Sequence, residues 1–433
     1  VLVQPASAFT LIGPAAPWQD ATVQMNVGSD VGTPQVIDEE YRYNVPVLYY
    51  AIDGSFHDYF GARGVQEIDK AFKLLNDLPP ASAMSDTLTE FPLDTARLNF
   101  KAASLNLIDL KSTALALILE QIGLLEPTRF VWCLRAFTPG QDCQTTGIAS
   151  YLIIKRNYDP VTWEPTSYVN GTLYTFRLIL GPDCAFGDAV EEVVDPLATT
   201  DNAVADLTVR FGRYFSGLTR DDVGGLRYIY RSPNLNRSET MPGNVLLGGG
   251  PWMPATTNLI APSPSLRLGI DKMRFEKRNF DSLLGTFFQP FTNVFQAKIV
   301  TNSTVLTENY IRPVLRPDFV LRAADVGVTA PPVPVPLIAS RIQPPYTSQN
   351  IATTVLGHNN GPGMMDFTAT VDSLGIAFNK VGPSWVGTTP FLIREPQARF
   401  IYNWGSFDGS TNEPVIYPST ASVRELERQI FGN

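Results

Sequence analysis

Histidine is almost absent from this chain. His57 and His358 are its only two, and they stand far apart in the sequence. A zinc hydrolase that holds its metal with two imidazoles one helical turn apart has no ligand set here. Cysteine is nearly as scarce. Cys133, Cys143 and Cys184 form no CxxC, which argues against a structural zinc site. No GxSxG elbow, GxxxxGK[ST] loop or GxGxxG turn is present. No apolar run is long enough to span a bilayer; the longest covers residues 114–119 with Ile122 behind it, and reads as a buried helix. Charged residues make up only 17%. The balance among them is −9, with a pI near 4.9, so the chain repels polyanions and neither nucleic acid nor an anionic membrane is an expected partner.

What is present points to a folded, turn-rich protein. The chain has 433 residues, of which 44% are hydrophobic, enough for substantial cores and for more than one domain. Its 35 prolines and 32 glycines predict many short strands and few helices. A first residue that is not Met, Val1, is what removal of a secretion signal leaves. In an exported chain Cys133 and Cys143 are close enough to bridge, leaving Cys184 over. Pairing of Cys143 with Cys184 is the alternative, and three unbonded thiols a further one. Sequons occur at Asn170, Asn236 and Asn302.

The chain divides by composition. Residues 1–42, rich in Gly, Pro and Ala, read as an extended arm lying on the fold or reaching a neighbour. In residues 43–232, a β-branched and aromatic run at 45–52 predicts a strand, closed by Asp53-Gly54. Val65, Ile68, Ala71, Phe72 and Leu75 then mark one helix face, ended by Pro79-Pro80. A second helix, apolar all round, starts at the N-cap Asp109 and runs toward Gly123. Strands follow at 151–154 and 173–180. Thr219 and Asp222 approximate a capping box for a third helix with Val223, Leu226, Ile229 and Tyr230 on one face. Residues 233–265 read as a Pro/Gly-rich linker. Residues 266–415 read as a β-sandwich, with strands near 295–300, 318–322, 367–371 and 398–402 and a stiff connector at 331–336. Residues 416–433 form a tail helix capped by Ser422 and Glu425.

The order strand, amphipathic helix, buried helix, capped late helix resembles the metzincin frame of matrixins. The segment from Leu119 to Pro127 resembles the end of the matrixin zinc helix with its Gly-Leu turn. The segment from Leu218 to Leu226, with Tyr228 and Tyr230, is similar to the matrixin closing helix. Aligned on Gly123, the resemblance sets the two helix histidines at Ala116 and Glu120. The catalytic Glu falls at Leu117 and the third histidine at Glu126. The three imidazoles that hold the metal and the carboxylate that activates water are absent from these positions, so the likeness implies a degenerate frame with a dead site. Tyr41 to Pro46, Tyr59-Phe60-Gly61 and Trp404 to Gly409 also resemble uncharacterised secreted bacterial proteins, which implies export and no particular activity.

Other constellations are thin. His57 beside Asp58 has the makings of an acid–base couple, but a histidine at a helix start is the plainer reading. Glu39-Glu40 and Glu191-Glu192 are adjacent pairs whose side chains point apart in extended chain, unlike the facing carboxylates of a glycosidase. Asp408, Asn412 and Glu413 offer hard oxygen ligands in one turn, the best position for calcium and otherwise a polar hairpin. The expectation is therefore an α+β chain: a metzincin-like domain followed by an Ig-like sandwich. Its expected role is that of a non-enzymatic extracellular structural protein that assembles with copies of itself into a filament, tube or surface layer. A secreted glycan- or protein-binding module is the alternative.

Overall fold

The computed structural model describes residues 8–13, 18–19, 33–37, 43, 45–141, 147–181, 185–198, 203–206, 210–234, 236–238, 265–280, 288–301, 304–314, 317–324, 342–343, 366–367, 375–379, 403–417 and 424. Among these the fold is mixed α+β, with four helices and many strands in small sheets, none closed into a barrel. No described helix is long and apolar enough to cross a membrane.

The helices sit where apolar spacing and caps place them. α1 spans Gly54–Asp77 and breaks at Gly61 (φ 62°, ψ −172°), a conformation essentially confined to glycine. The helix face expected from Val65 to Leu75 therefore caught only its second part. The first part was hidden by its two glycines, although Phe56 and Phe60 are buried one turn apart. The helix stops before Pro79-Pro80. The short α2 (Phe100–Ser104) is capped by Asn99. α3 (Leu110–Gln121) is buried all round except at Lys111. Asp109 caps it by accepting from Ser112 N, and Gly123 turns the chain at φ 122°. α4 (Arg220–Tyr230) opens on the complete capping box of Thr219 and Asp222. Gly224 and Gly225 let neighbours press against α4. A Cβ at these positions would meet Pro160 Cβ at 2.2 Å and Leu124 Cδ2 at 2.6 Å.

A parallel sheet lies beside α1 in the order β16 (Arg274–Lys277), β3 (Val47–Ile52), β19 (Phe319–Ala324), β22 (Gly375–Asn379). It joins chain from both sides of residues 233–265. A second sheet pairs β5 (Leu107–Asp109) in parallel with β23 (Asn403–Ser406), which pairs antiparallel with β24 (Val415–Tyr417). Tyr417 and Trp404 pack their rings on Phe60 of α1. β1 (Phe9–Gly13) pairs antiparallel with β2 (Thr33–Pro34), β6 (Leu124–Leu125) and β9 (Asn157–Tyr158). Phe9, Leu11 and Ile12 are buried in the main core. The described part of the 1–42 arm therefore lies on its own fold.

Three long hairpins complete the structure. Among the described strands, β7 (Cys133–Pro139) pairs with β8 (Ile148–Ile154) alone. β11 (Thr172–Leu180) pairs with β12 (Gly187–Val193) and with β10 (Tyr168–Val169). β17 (Phe291–Thr301) pairs with β18 (Thr304–Val314) and with β15 (Ser265–Arg267), which meets β14 (Asn236–Ser238). Two small pairs remain: β4 (Ala96–Leu98) with β13 (Arg213–Phe215), and β20 (Ile342–Gln343) with β21 (Asp366–Phe367). The strand expected near 295–300 falls within β17, and the one near 318–322 overlaps β19, which runs from Phe319 to Ala324. Only residues 366–367 of the strand expected at 367–371 and of its approach are described. The strand at 398–402, the connector at 331–336 and the cap at Ser422 and Glu425 lie outside the described residues.

Candidate functional site

The turn carrying Asp408, Asn412 and Glu413 joins β23 to β24 and is exposed at all three residues. Its backbone closes around the buried Asn99, whose Nδ2 lies 3.1, 3.1 and 2.9 Å from the carbonyl oxygens of Asp408, Gly409 and Asn412. Asn99 Oδ1 meanwhile caps α2 by accepting from Ala102 N. One amide thus fastens the turn to the helix, and carbonyls that would serve a cation converge on an N–H group instead. Asn412 Nδ2 donates to Asp408 Oδ1 at 2.6 Å, and Glu413 pairs with Lys101. Among the described residues no group of three or more His, Cys, Asp or Glu is placed to hold a metal.

The other residues singled out from sequence are scattered. His57 and Asp58 sit exposed in the first turns of α1, and His358 lies outside the described residues. Cys133 is a buried thiol whose Sγ–H reaches Phe130 O at 3.6 Å, and burial pushes its pKa up to about 12. Cys143 and Cys184 lie outside the described residues. Asn170 of the first sequon is buried, and its Nδ2 donates to Thr219 Oγ1 at 3.0 Å, so it is closed to glycosylation in the folded chain. Glu191 and Glu192 point apart as extended neighbours must. Glu192 pairs with exposed Arg177, while Glu191 turns inward.

Sequence reasoning missed the structure's main buried polar network. Arg129 follows β6 and is buried. It donates to Asp188 and Glu191 of β12, each at 3.1 Å. Glu126 lies near the same guanidinium; burial pushes its carboxyl up to about 7, against the pull of its own backbone N–H and of Arg129. Burial also raises Glu191. A second group surrounds the 3₁₀ turn Val204–Asp206. Asp206 accepts from Thr128 N and Oγ1, and burial pushes it up to about 8, with Asp222 nearby adding to the rise. Asp222 accepts from Val204 N, Ala205 N and Thr219. Only Asp222 carried a local signal, its capping box. The rest are joined by tertiary contacts that no spacing reveals.

Carboxyls shifted toward neutrality often mark active sites. These are closed instead, bonded to backbone or to Arg129. A small open apolar cleft of about 40 Å³, lined by Leu75, Leu78, Met84, Leu226, Tyr230 and Phe275, contains none of them; its charged lining residues are Asp271 and Lys272.

The outward chemistry lies on the hairpins. Tyr151 and Leu152 of β8 are more than half exposed, as are Val194 and Leu197 beyond β12. Phe186, just before β12, is also exposed. The Phe176 ring lies tilted 5.0 Å from that of Trp132 and edge-on 6.3 Å from that of Tyr151. Trp132 Nε1 donates to Tyr174 O, and Lys155 Nζ lies 4.7 Å over the Trp132 ring. The second exposed group is Val294, Val305 and Leu306 on β17 and β18. Comparison with known protein families, curated proteins and solved structures returns no match.

Proposed function

We propose that the chain is a non-enzymatic structural protein of the cell exterior that associates with copies of itself. The observation that carries this reading is the apolar surface on the hairpins β7–β8 and β11–β12, where Tyr151, Leu152, Phe186, Val194 and Leu197 face solvent. Large apolar side chains gathered on a surface mark contact with another macromolecule. The buried acids, by contrast, are spent on holding elements together. Arg129 ties β12 to the body, and Asp206 and Asp222 tie the Val204–Asp206 turn to α4 and Thr128.

A degenerate metzincin-like frame belongs to the same proposal. α1, α3 and α4 follow β3 in the order that frame requires. Ala116, Leu117, Glu120 and Glu126, at the positions of its zinc-site residues, are all buried. For residues 266–415 the antiparallel pair β17–β18, extended by β15 and by β14 from residues 236–238, is what supports a sandwich, while β16, β19 and β23 run parallel to strands of the first half.

The second reading, a glycan-binding module, draws on the ring cluster Trp132, Phe176 and Tyr151 with Lys155 beside it. Sugars bind by laying their apolar faces on such rings. Light scattering and electron microscopy of the full chain separate the two. Growth of mass with concentration supports assembly. A monomer retained by a glycan array, with binding lost in Trp132→Ala, supports the module.

A further inference from the structure

We propose that the outer edge of β8 is a contact between copies, in which β8 of one chain adds antiparallel to β8 of a second across a two-fold axis at Leu152. The inference rests on the self-association reading and names its contact.

β8 belongs to a two-stranded sheet: β7 occupies one edge, and no described strand pairs with the other. Proteins guard such an edge with charge, proline or a bulge, because its open N–H and C=O groups template a further strand. Ile148 to Ile154 holds no charge and no proline. The register with β7 shifts twice: it skips Ala149 of β8 between Thr138↔Ser150 and Pro139↔Ile148, and Arg135 of β7 between Leu134↔Ile153 and Ala136↔Leu152. The second extra residue belongs to β7, so β8 itself runs without insertion from Ser150 to Ile154, with its midpoint at Leu152. Tyr151 and Leu152, 55% and 54% exposed, are the most open large apolar residues of the strand.

Charge selects the second copy's direction. Lys155 and Arg156 follow the strand at once. Parallel pairing would set Lys155 against Lys155 and Arg156 against Arg156 of the other copy, a like-charge array. Antiparallel pairing centred on Leu152 sets Lys155 opposite Ala149 and Arg156 opposite Ile148. It also sets Tyr151 opposite Ile153, an aromatic against a β-branched residue, which is a favourable cross-strand pair. Leu152 meets its own symmetry mate, as an isologous interface requires.

The test uses the full chain. Leu152→Cys brings two thiols together at the axis, and mild oxidation then removes two protons and two electrons to form one disulfide between copies. Ser150→Cys, which faces Ile154 of the other copy, serves as comparison. A covalent dimer on a non-reducing gel for Leu152→Cys, and little for Ser150→Cys, is the expected result. Leu152→Lys, its fold checked by circular dichroism, should weaken association on the order of 100-fold in light scattering. Phe100→Lys, on an apolar residue 60% exposed on α2 and outside the hairpin surface, should leave it unchanged. Native chain that assembles equally well with Leu152→Lys, and no cross-link at Leu152→Cys, overturns the β8 contact but leaves self-association standing. Native chain that stays at 47.6 kDa at every concentration overturns both.

Discussion

Arg129 is the residue on which the buried charge balance turns. Its guanidinium faces Asp188 and Glu191 in a site that excludes water. Replacing it with Met removes the cation bonded to those two carboxylates and leaves them buried. Such a break costs about 3–5 kcal/mol, so Arg129→Met should lower the urea midpoint sharply. A midpoint within error of the native one would show that the network is slack. Gln121 runs the other way. Among the described residues both atoms of its buried amide lack a hydrogen-bond partner. Gln121→Met should therefore stabilise the chain by roughly 1–2 kcal/mol, read as a rise in melting temperature; a fall would mean the amide is bonded. At Asn99 the same logic bears on calcium. A cation in the 408–413 turn would have to displace an N–H group that already satisfies three carbonyls. Melting temperature should stay flat as calcium is added, whereas a clear rise would restore Asp408, Asn412 and Glu413 as ligands.

At the scale of elements, close packing outweighs propensity on α4. Gly224→Ala improves intrinsic helix preference by about 1 kcal/mol, yet its Cβ would lie 2.2 Å from Pro160 Cβ. Overpacking of this kind costs roughly 1–3 kcal/mol, so the variant should melt below the native chain. An increase would mean that Pro160 moves aside without strain. The contrast also shows what the sequence carried. Helices with strong local grammar were legible: Asp109 and the all-apolar run of α3, and the Thr219–Asp222 box of α4. β3, β11 and β17 announced themselves through β-branched and aromatic runs. Pairings between distant segments were silent, because parallel strands such as β3 with β16 and β19 leave no turn or spacing to read. β1 was hidden by its setting in a Gly- and Pro-rich stretch, though Phe9, Leu11 and Ile12 are core residues. The candidate site was less legible still. Glu126, Arg129, Asp188 and Asp206 are ordinary charged residues in sequence, and only folding makes them neighbours.

For the molecule as a whole, the buried acids set a direction for stability against pH. Burial raises Asp109 to about 6, Glu126 to about 7 and Asp206 to about 8, from ordinary values of 3.8, 4.5 and 3.8. The folded chain holds these protons more tightly than the unfolded chain. Their contribution is complete below about pH 4 and is lost as pH rises through 6 to 8. Unfolding midpoints should therefore fall between pH 5 and pH 9; a rise over that range would mean that these carboxyls are ionised in the fold. The same acidic chain carries several exposed apolar side chains, Tyr151 and Leu152 among them, on or beside its hairpins, and that arrangement underlies the proposal of self-association. Its most direct test is the mass of the full chain by light scattering over a wide concentration range at pH 6. Mass rising with concentration to two chains or more is the predicted result. A constant mass of one chain, 47.6 kDa, would contradict the account.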